Sequence, residues 1–213
     1  MGIDINKTKK ALLIAALVLG GTIATNAQVV VSLGTDTAFF DVPNATHTFT
    51  FDFTGKGIAD IASVQLSLSM NYTAASSGFG PANLSASLKA PDATTATVFN
   101  LSGNSQTTVT FSGANFLDAA LINLPVNDAT YSGSYDPSVA FSAFEGLSSG
   151  NINGAWTLTL TDSNQNGDGG NMLSATSLTI TAAVPEPSAY AAMMGLGMLG
   201  FAALRRSRAQ SAA

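Results

Sequence analysis

Gly154-Ala155-Trp156-Thr157-Leu158-Thr159-Leu160-Thr161-Asp162 places Trp156, Leu158 and Leu160 at every second position, with threonines between them. A period of two sends alternate side chains to opposite faces of an extended chain, so the stretch reads as a strand with one dry face and one wet face. The pattern recurs on either side. Phe49, Phe51 and Phe53 alternate with Thr48, Thr50, Asp52 and Thr54, and Val64, Leu66, Leu68 and Met70 alternate with Gln65, Ser67 and Ser69. Val29-Val30-Val31 opens a further strand, and Leu84 to Lys89, Ala96 to Leu101, Thr107 to Phe111 and Leu178 to Thr181 continue the series. Gly55-Lys56-Gly57 and Ala90-Pro91-Asp92 supply turns between them. Strands this short and frequent predict an all-β fold, a two-sheet sandwich, from Gln28 to Ala183.

The chain has 213 residues, of which 46% are apolar and 10% charged. That is enough to bury one ordinary core and too little for a second large catalytic domain. Six of the eight basic residues are terminal: Lys7, Lys9 and Lys10 near the start, and Arg205, Arg206 and Arg208 near the end. Between Gln28 and Val184 only Lys56 and Lys89 face eleven acidic residues, a net charge of −9. Such a surface repels nucleic acid.

The two ends differ from the middle. After the three lysines comes an apolar run, Ala11 to Gly20, and then small and polar residues to Ala27. This order predicts a signal peptide over residues 1–27, cut after Ala27, because ten apolar residues are too few to cross a hydrocarbon layer of about 30 Å. There is no cysteine, which excludes thiolate metal sites and thiol nucleophiles. At the far end Val184-Pro185-Glu186-Pro187-Ser188 leads into the apolar stretch Ala189 to Leu204 and then Arg205-Arg206-Ser207-Arg208. Two prolines in three residues make an extended hinge that an enzyme can read. The stretch 189–204 predicts a thin transmembrane helix, about 24 Å long, with the arginines as a cytoplasmic stop and the β-region outside.

This tail, residues 184–209, resembles the PEP-CTERM sorting signal: Pro185-Glu186-Pro187, a short apolar helix and a terminal arginine cluster stand in order. The resemblance implies recognition at the inner membrane of a Gram-negative bacterium by an exosortase-type enzyme, with cleavage near Pro185 to Pro187. It further implies display at the cell surface or in an extracellular matrix, associated with exopolysaccharide or biofilm.

The region 59–183 resembles the P domain that accompanies proprotein convertases and bacterial secreted proteases, with residues 28–58 as an N-terminal β segment. The likeness rests on Leu84-Ser85-Ala86-Ser87-Leu88 with Ala90-Pro91-Asp92, Tyr135-Asp136-Pro137 to Phe144-Glu145-Gly146, Gly154-Ala155-Trp156-Thr157-Leu158, Asp162, and an Asp168-Gly169-Gly170 turn before the closing strand. It implies a jelly-roll-like sandwich of the galactose-binding-like kind, an auxiliary module with no activity of its own. The family has glycine after its Pro-Asp, where this chain has Ala93, and His-Thr where this chain has Asn71-Tyr72-Thr73.

Candidate chemistry is sparse. His47, the single histidine, reads as a polar turn residue before the Phe49 strand, and no Gly-x-Ser-x-Gly elbow marks a nucleophile. Glu145 has no evident carboxylate partner for glycoside hydrolysis. The expectation is therefore that the chain is not an enzyme. Asp162, Asn164, Asn166 and Asp168 set oxygen ligands at alternate positions, as calcium loops do, but Leu173 stands where an EF-hand needs glutamate, and a polar hairpin is the other reading. Tyr72, Phe79, Tyr131 and Tyr135 lie in loop-like sequence and are candidates for stacking on sugar. The alternatives to a display protein are thus a carbohydrate- or calcium-binding adhesin module, or an accessory partner of a secreted protease.

Overall fold

The computed structural model describes residues 27–40, 46–73, 84–163, 169–183 and 195–201. Residues 27–183 form one compact unit. It holds twelve strands among the described residues, β1 (Gln28–Ser32), β2 (Thr37–Phe40), β3 (Thr46–Asp52), β4 (Ile61–Thr73), β5 (Leu84–Lys89), β6 (Thr95–Asn100), β7 (Thr108–Phe116), β8 (Thr130–Tyr131), β9 (Ser134–Tyr135), β10 (Ala155–Asp162), β11 (Gly169–Met172) and β12 (Ser177–Ala182). A 3₁₀ turn, Phe141–Phe144, and a four-residue helix α1, Ser149–Ile152, lie between β9 and β10.

Two sheets result. The smaller runs β3-β10-β5-β6, all antiparallel. In the larger, β12 lies between β1 and β4, β11 between β4 and β2, and β7 lines the other side of β4. The short β8 and β9 run parallel to β7. Alternation builds the core as the sequence predicts: Trp156, Leu158 and Leu160 of β10 and Phe49 and Phe51 of β3 are buried, as are Leu66, Leu68 and Met70 of β4. Side chains from both sheets meet in one cluster. Phe99 of β6 lies 5.0 Å from Phe111 and 5.8 Å from Phe116 of β7, ring centre to ring centre, which seals the two layers together.

Gly113 is where β7 changes face. Leu68 pairs with Ala114 but Ser69 pairs with Ser112, so Gly113 is the extra residue of a bulge, at φ +67°. Val109 and Phe111 point inward before it, Ala114 and Phe116 after it. One left-handed glycine thus keeps both halves of the strand in the core.

Three local expectations change. His47 is in β3, opposite Leu160, rather than in a turn. Gly169 and Gly170 are the first residues of strand β11 rather than a turn, and the bend comes at Leu173 to Thr176, where the buried Thr176 hydroxyl donates to the Ser69 carbonyl at 2.8 Å. Tyr72, Tyr131 and Tyr135 lie in strands rather than loops, because β4 is held on both sides as far as Thr73 and β8 and β9 add to β7.

Candidate functional site

The proposed sorting residues Val184, Pro185, Glu186 and Pro187, the basic stop Arg205, Arg206 and Arg208, and the signal segment 1–26 lie outside the described residues. Of the span 189–204, residues 195–201 are described and are helical. Among the described residues no helix is long and apolar enough to cross a membrane. Most of the described residues belong to the body that such a tail carries. Its last strand, β12, ends at Ala182 between β1 and β4, and the Ala183 amide still donates to the Asp60 carbonyl at 3.1 Å.

Within the body, polar side chains from distant strands meet at one place. The Tyr72 hydroxyl on β4 donates to Oδ2 of Asp162, the last residue of β10. Tyr72 is 2% exposed and Asp162 7%. The Phe39 ring of β2 stacks on Tyr72 at 6.4 Å and lies 5.4 Å from the His47 ring. Gly170 makes the approach possible: a Cβ there would lie 2.0 Å from the Asn71 carbonyl oxygen and 2.8 Å from Phe39 Cζ. The carboxylate expected to begin a metal loop is therefore buried and bonded across the sandwich. The other three residues of that set, Asn164, Asn166 and Asp168, lie outside the described residues. Among the described residues no three His, Cys, Asp or Glu side chains gather as a metal site.

The remaining acids mostly bond turns. Asp118 accepts from the Phe141 and Ser142 amides, both at 2.6 Å, and so holds the start of the 3₁₀ turn with both oxygens. Asp92 accepts from the Thr94 amide at 2.9 Å and its hydroxyl at 3.0 Å, closing the Pro91 turn as expected. Asp36 accepts from the Ser174 amide at 2.6 Å, and hydrogen bonds from Ser174, backbone first, hold its carboxyl below the usual range. Asp52 is lowered likewise by the Thr54 side chain and amide. These carboxylates accept from backbone and hydroxyl donors of nearby turns and not from one another's partners.

Three of the four aromatics considered for sugar stacking are core residues; Phe79 lies outside the described residues. Tyr131 stacks on Phe111 at 4.8 Å, accepts from the Asn104 amide group at 3.2 Å and donates to the Pro125 carbonyl at 2.9 Å. Burial pushes its phenol above the usual value. Residues of three of the quoted stretches meet in the core. Trp156 packs edge-on against Phe144 at 5.0 Å and donates from Nε1 to the Ile152 carbonyl, while a Cβ on Gly154 would meet the Pro91 ring at 3.1 Å.

Residues 183–207 match the family model described as the PEP-CTERM protein-sorting motif. No curated protein matches the chain. Among solved structures it is similar to the Aeromonas sobria serine protease in complex with the chaperone ORF2, at 14% identity over 83% of this chain and 30% of that one, with a TM-score of 0.39. It is also similar to the Aeromonas sobria serine protease alone, at 14% identity over 82% and 30% of the two chains, TM-score 0.35. A structure of infectious bursal disease virus, Gx strain, gives 14% identity over 76% and 33%, TM-score 0.30. The chain spans about a third or less of the length of each of these proteins. The sorting motif implies export, anchoring in the membrane and processing by an exosortase-type enzyme.

Proposed function

We propose that this chain is a non-enzymatic display protein of the cell surface or extracellular matrix, associated with exopolysaccharide, in which the β-body is cargo and the tail its address. The observation that carries this reading is the junction: the sorting motif begins at residue 183, one position after β12 ends at Ala182. A recognised segment follows directly on a folded body, with no second domain between them. We read the body as a P-domain-like jelly roll, on the stations gathered around Trp156.

The outer face of the smaller sheet supports the exopolysaccharide association. Thr48 pairs with Thr159 and Thr159 with Ser87, while Thr46 pairs with Thr161 and Thr161 with Ser85, so hydroxyls form rows across three strands. Rows of neutral hydroxyls bond a hydrated polysaccharide without ion pairing, in keeping with a body of few charges. The sugar-stacking alternative loses Tyr72, Tyr131 and Tyr135 to the core. Calcium dependence would show as a rise in Tm on titration, and an unmoved Tm would remove the calcium-binding alternative.

The test is the intact mass of the exported protein, with and without Pro185→Ala and Pro187→Ala together. The expected result is loss of the residues after the motif from the natural chain and their retention, with the protein held in the membrane, in the variant. A natural chain that keeps residues 188–213 would overturn the sorting reading.

A further inference from the structure

We infer that β1 is a self-association edge, pairing antiparallel with β1 of a second copy of this chain about a two-fold axis centred on Val30. Residues of β1 that bond β12 are fixed by the flanking hydrogen bond from Leu33 N–H to the Thr176 carbonyl, in a register that sets Val31 opposite Leu178 and Val29 opposite Ile180. In an antiparallel pair the bonded residues alternate. Residues 29, 31 and 33 therefore face β12, and the backbone groups of Gln28, Val30 and Ser32 point away from the sheet. Nothing described pairs with them.

The β6 and β7 edges are covered by described segments. Ser138 and Val139 amides bond the Val98 and Thr97 carbonyls, covering β6, and β8 and β9 cover β7. Asp36 and Asp41 bracket β2, and Asp52 ends β3. Flanking charges of this kind deter edge pairing. Gln28-Val29-Val30-Val31-Ser32 has none, and neither has its neighbour β12, in a body whose net charge is −9.

The strand is also complementary to itself. A register centred on Val30 sets Gln28 opposite Ser32 of the other copy, Val30 opposite Val30 and Ser32 opposite Gln28. Those are the residues with outward backbone groups, so one register satisfies them all. Val29 and Val31 pack against the core, and in this register each lies opposite the other's counterpart, extending the apolar layer from one copy into the next. Val30, 56% exposed on the outer face, meets its own twin. Flanking aspartates would be expected at a solitary exposed edge; their absence here is what a second copy explains.

The test uses the exported protein in sedimentation and a single engineered cysteine, a clean reporter because the natural chain has none. Val30→Cys is expected to form a covalent dimer on mild oxidation, since residues opposed in a bonded pair lie about 5.5 Å apart at Cα, within disulfide reach. Val139→Cys, exposed elsewhere, is expected to stay monomeric. Val30→Lys is expected to halve the sedimenting mass, and to leave Tm unchanged at dilutions where the natural chain is itself monomeric. A natural chain that is monomeric at high micromolar concentration, or a Val30→Cys chain that cross-links no better than Val139→Cys, would overturn the proposal.

Discussion

The Tyr72 hydroxyl donates to the Asp162 carboxylate, joining β4 of one sheet to β10 of the other across 90 positions of sequence. Both residues are buried, so the bond replaces water that neither can reach. Tyr72→Phe keeps the ring stacked on Phe39 but removes the donor. It is expected to lower the unfolding free energy by about 1–3 kcal/mol, the range for withdrawing a partner from a buried polar group. Urea denaturation measures it, and a variant as stable as the natural chain would show that the tie is idle.

Ala93 sits at φ +78° in the turn closed by Asp92. A left-handed backbone costs an L-residue about 1–2 kcal/mol, and glycine, free of that strain, gives back about 0.5–1 kcal/mol in unfolded-state entropy. Ala93→Gly is therefore expected to stabilise by about 0.5–1 kcal/mol and raise Tm by a few degrees. A lower Tm by calorimetry would count against this balance.

Gly170 offers the converse case. Gly170→Ala drives a methyl into the Asn71 carbonyl, so a loss of about 1–3 kcal/mol is expected as the strands part. Gly150→Ala, with open space around it, is the control and should lie within about 0.5 kcal/mol of the natural chain. Equal stabilities for the two variants would mean that β11 has slack that the geometry does not suggest.

Asp36 predicts how the fold answers to acid. Its folded carboxyl titrates below the unfolded value of about 3.9, so its contribution is present above that pH and is lost as pH falls through the folded value. The natural chain should lose stability on acidification below about pH 4, and Asp36→Asn should flatten that limb. Denaturation at stepped pH reads this directly; parallel curves for the two chains would assign the acid sensitivity elsewhere.

How much of this was legible depends on how local each signal is. Leu84–Lys89 is read to the residue because its alternation is unbroken, and the tail is read because motif, apolar run and arginines are consecutive. β7 is read only as far as Phe111, since the bulge at Gly113 reverses which positions are dry and makes Ala114 and Phe116 look out of phase. Tyr72 reads as a loop residue and Asp162 as the exposed end of its strand, because polar groups near strand ends usually face water. Their burial follows from Phe39, Tyr72, Asp162 and Gly170 meeting from four strands, which no single stretch reveals. The positive φ at Ala93 was signalled only as the absence of an expected glycine.

The placement of β12 between β1 and β4 has a mechanical meaning for a body held by its C-terminal end. A pull along that strand loads the hydrogen bonds to both neighbours sideways and together, from Ser177 to Ala182, instead of peeling them one at a time. A tether rooted in an edge strand would unzip under drag. Rooted one strand in from that edge, it passes force to β4, the thirteen-residue strand on its inner side, as well as to β1.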